Sequence, residues 1–244
     1  MPASRHARPE PPAFIEPQLT LALEKSPEGD AWCHEIKHDG YRIHARIVGN
    51  KVQLLTRTGL DWTHRYETLA AACRQISAHS AYIDGELCAL RPDGTSSFAE
   101  LQAATDRKDS DALTYFAFDL LFLDGEDLCE LSLQERKRRL RDLLRSASRQ
   151  IQYSDHIVGG GARVFAAACT KHAEGIVSKR LDAPYVSGDR GVWRKMRCVN
   201  EDEFVIVGFT NPHGGRQYLG ALAPVRRSPN GLRFELHSLE GEYP

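Results

Sequence analysis

No stretch of this 244-residue chain approaches the roughly 18 consecutive apolar residues needed to span a bilayer. The opening run, residues 1–13, holds basic residues and prolines without the apolar centre of a secretion signal. A soluble, cytoplasmic protein is expected, with residues 1–13 as a flexible lead-in. Excess charge of one sign is also missing. The 32 Lys and Arg face 33 Asp and Glu, a formal charge of −1, so a nucleic-acid partner would have to be gripped by a local basic patch. The six cysteines (Cys33, Cys73, Cys88, Cys129, Cys169 and Cys198) form no CxxC pair, and no histidine stands at zinc-ligand spacing from one. A structural zinc site is thereby excluded, and reduced thiols are the expected state. Repeats at periods of about 20–50 residues are lacking as well.

What is present, 41% apolar residues with 19 Gly and 12 Pro spread along the chain, suits one full-sized globular domain and a smaller piece. Ile43, Ala45 and Ile47 alternate with Arg42, His44 and Arg46, the period of a half-buried strand. A strand pair turning through His38, Asp39 and Gly40 is expected there. Residues 52–56 and 81–90 and the aromatic-rich run 113–123 read as further strands of an antiparallel sheet. Helical spacing joins Tyr66, Leu69, Ala70 and Cys73. It recurs at Leu133, Leu140 and Leu144 behind the capping box Ser132 to Glu135, and more weakly over 162–172. The class is α+β. Past Asn200, strand-like stretches at 203–209, 218–225 and 232–237 are divided by Gly, Pro and Asn turns. The expected organisation is a domain over 14–200 and, over 201–244, a β-barrel too short to close with five strands.

The segment Glu35-Ile36-Lys37-His38-Asp39-Gly40-Tyr41-Arg42 places a lysine between a strand and an Asp-Gly turn, a modest signal alone. Four further patterns follow in order: Asp84-Gly85-Glu86-Leu87, Phe118-Asp119-Leu120-Leu121, Glu174-Gly175-Ile176-Val177-Ser178-Lys179, and Trp193-Arg194-Lys195-Met196-Arg197. Together they resemble the covalent nucleotidyltransferase family, which contains ATP-dependent DNA ligases, RNA ligases and messenger-RNA capping enzymes. The resemblance spans about residues 14–240 and is nearest to the bacterial end-joining (ligase D) type. That narrower choice rests on Pro27 to Trp32, on Thr56-Arg57-Thr58-Gly59-Leu60-Asp61-Trp62-Thr63, and on Glu203 to Phe209.

This resemblance implies an ATP-grasp-like adenylation domain followed by a partial oligonucleotide-binding (OB) fold, with Lys37 as the nucleophile that becomes AMP-bound. An attacking amine must be unprotonated and its pyrophosphate leaving group neutralised. Lys179 and Lys195, with bound Mg²⁺ or Mn²⁺, would serve both needs. By the same resemblance Glu35 lies at the adenine edge, Phe118 stacks on the base, and Arg42 and Glu86 reach the ribose. Glu174, helped by Glu86, would hold the metal. Strand alternation puts Trp193, Lys195 and Arg197 on one face, so that two cations project together toward the triphosphate. The family usually has lysine where Arg197 stands, and Arg offers a planar fork in its place. Of the aromatics in 115–118, one is expected to face the nucleotide.

Arg57 would lie near the phosphate or the DNA end, with Arg180 and Arg194 as further DNA contacts. The cation-rich helix 132–145 (Arg136, Lys137, Arg138, Arg139, Arg141, Arg145) reads foremost as a solvated face. The implied partners are nicked or broken duplex DNA, a Ku-like end-binding protein and further repair domains, with use at the bacterial nucleoid. RNA end sealing or GMP transfer is the second reading. A non-catalytic, adenylation-deficient remnant is the third, suggested by the short barrel and by the lack of the basic closing motif that the family carries at the barrel's end.

Overall fold

The computed structural model describes residues 9–188 and 191–198, and the strand backbones 205–209, 222–228 and 231–234. The chain divides into two compact units, Met1–Cys198 and Val199–Pro244. In chain order the first holds β1 (Leu21–Ala22), β2 (Trp32–Ile36), β3 (Tyr41–Val48), β4 (Lys51–Thr56), α1 (Glu67–Arg74), β5 (Ser80–Ala89), α2 (Phe98–Asp106), β6 (Leu113–Leu123), β7 (Glu126–Asp127), α3 (Leu133–Leu143), β8 (Ile151–Tyr153), β9 (His156–Val158), α4 (Gly161–Thr170), β10 (Gly175–Arg180) and β11 (Trp193–Arg197). The second holds an antiparallel meander of β12 (Val205–Phe209), β13 (Leu222–Ser228) and β14 (Gly231–Phe234). Parts of the stretches expected at 203–209, 218–225 and 232–237 lie outside the described residues.

Two sheets build the first unit. One runs β4-β3-β5-β6-β7 with β8 beside β6; the other runs β1-β11-β10-β2-β9. Apart from β1 on β11 and β8 on β6, which are parallel, the described pairings are antiparallel. The alternation along β3 does what the sequence dictates. Ile43, Ala45 and Ile47 join Leu54, Ile83, Leu87, Tyr115 and Ala117 in the main core, closed by Leu69 and Cys73 of α1, Leu101 of α2 and Leu140 of α3. A smaller cluster, Val164, Ala168, Ile176 and Met196, seats α4 on the other sheet.

The expected hairpin at Asp39-Gly40 is not formed. β2 pairs with β10 and β9, whereas β3 pairs with β4 and β5; the chain crosses from one sheet to the other. Asp39 anchors the crossing by accepting a hydrogen bond from Phe98 N (3.1 Å), and its own N donates to Ser96 Oγ (2.8 Å). Gly40 is required by close approach, because a side chain there would meet the Leu87 carbonyl and Cys88 Sγ. The helix α2, absent from the pattern reading, starts at this anchor with Ser97 as its N-cap, accepting from Glu100 N (3.4 Å). Ser132 caps α3 in the same way (3.3 Å from Glu135 N).

Two further expectations are corrected. On α3, Arg136 and Lys137 are buried rather than solvated. They fall between Leu133 and Leu140 at i+3 and i+4, on the helix's inward stripe. Arg138, Arg139, Arg141 and Arg145 do form surface ion pairs. The thiols are not all reduced either. Cys169, near the end of α4, is disulfide-bonded to Cys198 just after β11, with Cα atoms 5.4 Å apart across 29 residues. No local spacing announces such a pair.

Within the larger sheet Asp84 and Asp119 are register partners, both fully buried. Like charges directly opposite destabilise a ladder, and each is neutralised by its own arginine. Arg136 clamps Asp119 through Nε (2.8 Å) and Nη2 (2.9 Å). Removing one partner strands a buried charge, so Asp119→Ala is expected to cost about 3–5 kcal/mol in urea denaturation. The double variant Asp119→Leu, Arg136→Met should recover most of that loss.

Candidate active site

The crossing from β2 to β3 leaves Lys37 at the seam of the two sheets, its N donating to Gly175 O (2.9 Å). Its ammonium is bonded to Glu174 Oε2 at 2.5 Å, both side chains being about a quarter exposed. Arg197 Nε lies 3.3 Å from the other oxygen, Glu174 Oε1. Glu86 faces the same space. Burial lifts its carboxyl to about 8, against the Arg42 and Lys37 charges and with Asp84 and Glu174 adding repulsion.

Beneath Lys37 lies a second carboxylate, Glu35, almost wholly buried. Its Oε1 accepts from Lys137 Nζ (2.8 Å) and lies 3.0 Å from Lys179 Nζ. Its Oε2 accepts from Lys179 Nζ (3.1 Å) and Ser154 Oγ (3.0 Å). Burial alone would raise Glu35, but the two ammonium groups hold it at about 2. Lys179 also lies over the Phe118 ring (4.2 Å) and the Trp193 ring (4.3 Å). Its ammonium is therefore paired with Glu35, and the ion partner of Lys37 is the anion Glu174.

Arg42 is engaged within the protein. Nε and Nη2 donate to Asp84 (3.0 and 2.6 Å) and Nη1 to Gln18 O (2.6 Å), with its guanidinium 5.5 Å from the Phe118 centroid and 5.4 Å from that of Trp193. Two aromatics of β6 share this face, not one. Phe116, register partner of Glu86, carries the stacked ring of His38 at 3.9 Å, while Phe118 meets Trp193 edge-on at 5.8 Å. Tyr115 and Ala117, alternating with them along β6, point into the main core.

The remaining sequence-assigned residues are more spread out. Lys195 sits on β11 between Trp193 and Arg197. Arg194 alternates with Lys195 and shares the α4 face with Met196, so it points away from the Lys37 side. Arg180 is exposed and bonded to Asp182 (2.7 Å). Arg57 is exposed in the turn after β4. An open groove of about 770 Å³ lined by His64, Arg65, Glu67, Asp106 and Asp109 contains none of these residues. Sequence reasoning missed Lys137, Ser154 and Phe116. The helical spacing of Lys137 from Leu133 and the strand spacing of Phe116 from Phe118 were the available signals.

The model of the ATP-dependent DNA ligase domain matches residues 15–197. The chain is 37% identical over 223 residues to the multifunctional non-homologous end joining protein LigD of Pseudomonas aeruginosa, covering 91% of this chain and 26% of that protein. It is 34% identical over 205 residues to LigD of Mycobacterium tuberculosis, covering 83% and 26%. Among solved structures, mycobacterial DNA ligase D complexed with ATP and MES superposes with a TM-score of 0.68 at 28% identity, over 90% of this chain and 70% of that one. The chain thus spans about a quarter of the length of these curated relatives.

Burial would raise the Asp84 carboxyl, yet Arg42 and then His44 hold it far below the usual carboxylate range. A depressed folded-state pKa stabilises the protein above the unfolded value of about 4, and that stabilisation is lost as pH falls below it. Asp84→Asn is therefore expected to melt well below wild type at pH 7, with the gap narrowing between about pH 4 and 2 in thermal melts.

Proposed function

This chain belongs to the ATP-dependent DNA ligase domain family, and on that premise we propose that it adenylates itself on Lys37 and passes AMP to the 5′-phosphate of a DNA break. The observation that carries this reading is the placement of Lys37 at the inter-sheet seam, bonded to Glu174 and one side chain away from Arg197. The Nζ lone pair attacks the α-phosphorus of ATP, and the bond to pyrophosphate breaks. Before attack the ammonium must lose a proton, and the Glu174 carboxylate at 2.5 Å is positioned to take it. Arg197 and Lys195 meet the charge that develops on the leaving phosphates. A 5′-phosphate oxygen then takes AMP from Lys37, and the 3′-hydroxyl displaces AMP to seal the strand.

Glu35 at the adenine edge and Phe118 on the base face are supported by their position side by side under the seam. A ribose role suits Glu86 better than Arg42, whose donors are already engaged by Asp84, Gln18 and Tyr185. Among the described residues no three His, Cys, Asp or Glu side chains group to cage a metal ion. Glu174 and Glu86 nonetheless repel one another, and two oxygen donors suffice for Mg²⁺ or Mn²⁺ that completes its shell on phosphates. When bound, such an ion would neutralise phosphate oxygens. The exposed Arg57 and Arg180 are the better DNA contacts; Arg194, on the α4 face, is the weaker one. The organisation proposed is an adenylation domain over 14–200 with an OB-type piece over 201–244, working in a bacterial cytoplasm on DNA ends, with a Ku-like partner and further repair domains.

Incubation with α-labelled ATP and Mg²⁺ is expected to label wild type covalently, to give no label in Lys37→Ala, and to slow labelling by about 100-fold or more in Glu174→Gln. Competition among ATP, GTP and dATP tests the base and sugar. Label that persists in Lys37→Ala would refute the assignment of the nucleophile.

A further inference from the structure

We propose that Lys137 is a positioning residue of the base site: it fixes Glu35 as an ionised acceptor beside Phe118, leaving Lys179 free to exchange Glu35 for a phosphate, so that the site selects a 6-amino purine over a 6-oxo purine. This rests on the adenylyltransferase reading above.

Two ammonium groups share the one carboxylate of Glu35, and they are not equivalent. Lys137 reaches from α3 to both sheets at once. It donates to Glu35 Oε1 on β2 (2.8 Å), to Ser154 O between β8 and β9 (3.1 Å) and, at 3.5 Å, to the backbone oxygen of Phe118 on β6. All three of its protons are thus directed, and its ammonium lies 4.6 Å from the Tyr153 ring centroid. It is the contact that ties the carboxylate to the strand bearing the stacking ring. Lys179 has Glu35 alone as its hydrogen-bonding anion, and its ammonium sits over Phe118 and Trp193 where the edge of a stacked base would lie. A base entering over Phe118 displaces Lys179, and the incoming phosphates offer it a new anion.

What Lys137 leaves behind sets the selectivity. An ionised carboxylate only accepts hydrogen bonds, so when set against position 6, away from N1, it pairs with an exocyclic amino group and confronts a 6-oxo group acceptor to acceptor. A protonated Glu35 would donate to the 6-oxo group and lose the distinction. Once Lys179 has moved, Lys137 is the remaining cation bonded to Glu35, and without it the buried carboxyl would rise into the neutral range. Of the other ionisable groups nearby, Glu86, lifted by burial to about 8, titrates between pH 6 and 9, and from its ribose position it acts alike on nucleotides that differ in the base. Burial holds His38 and His156 at about 4, pushes Cys33 up to about 12 and raises Tyr153.

The test is equilibrium binding of ATP and ITP, which differ in the 6-amino or 6-oxo group and in the proton that the 6-oxo purine carries on N1, in metal-free buffer from pH 6 to 9, read by tryptophan fluorescence. Wild type is expected to prefer ATP by about 100-fold at every pH. In Lys137→Met the preference should fall below about 10-fold at pH 6 and climb toward pH 9 as the freed carboxyl ionises. Lys179→Met should keep the wild-type ratio while binding both triphosphates more weakly. Glu35→Gln, close in shape, should lose the preference at every pH and so covers the case of a Lys137→Met chain that does not fold. A folded Lys137→Met that keeps the wild-type ratio and its flat pH profile would overturn the role of Lys137 alone, as would a Glu35→Gln protein that still discriminates. Wild type that binds neither nucleotide would overturn the adenylyltransferase reading and this assignment with it.

Discussion

Opposite charges buried between and within the two sheets are the constraint on which the rest of this architecture depends. Glu35 with Lys137 and Lys179, and Asp119 with Arg136, are buried, and Asp84 is buried against a partly exposed Arg42. A buried pair of this kind stabilises no more than well-packed apolar side chains would, but it tolerates no mismatch, since losing either partner strands a charge. Its effect is to fix one alignment of the elements. Arg136 and Lys137, neighbours on α3, reach Asp119 on the larger sheet and Glu35 on the smaller, so a single helix sets how the two sheets face each other.

That alignment assembles the candidate site. Lys37 and Glu174 flank the ends of adjoining strands of the smaller sheet, Lys37 just after β2 and Glu174 just before β10, while Glu86, Phe116 and Phe118 come from the larger one. They share a space only because the chain crosses sheets at Asp39-Gly40 and because Gly85 lets β5 lie close on Tyr115 and Phe116. An interior already crowded with ionised groups suits the proposed adenylyl transfer, in which charge moves between an amine, a carboxylate and phosphates, since fixed charges stabilise a transition state without reorganising. The same crowding explains why neighbouring carboxyls differ. Glu35, held by two ammonium groups, stays at about 2, while Glu86, buried with less compensation, rises to about 8.

Much of the fold was legible. The run 113–123 is a strand over its whole length, the box at Ser132 caps α3, and the order of five short motifs pointed to the family that the domain match establishes. Less legible were features whose local signal fits two structures. An Asp-Gly turn between strands suits a hairpin as well as a crossing, and the partners that decide between them lie 57 and 59 residues away, where Ser96 and Phe98 hold Asp39. The charge run on α3 looked like a solvated face because its surface cations outnumber the two that turn inward.

By itself the sequence determined many of the strands and helices and the family, because these rest on local periodicity and on residue types kept in order. Tertiary structure alone decided which charges meet: Lys137 with Glu35 across 102 residues, Lys37 with Glu174 across 137, and Cys169 with Cys198. A charge or a thiol carries no periodic trace of its partner. The pairing is set by the non-local packing of two sheets and one helix, whose burial makes an unpaired charge too costly to leave.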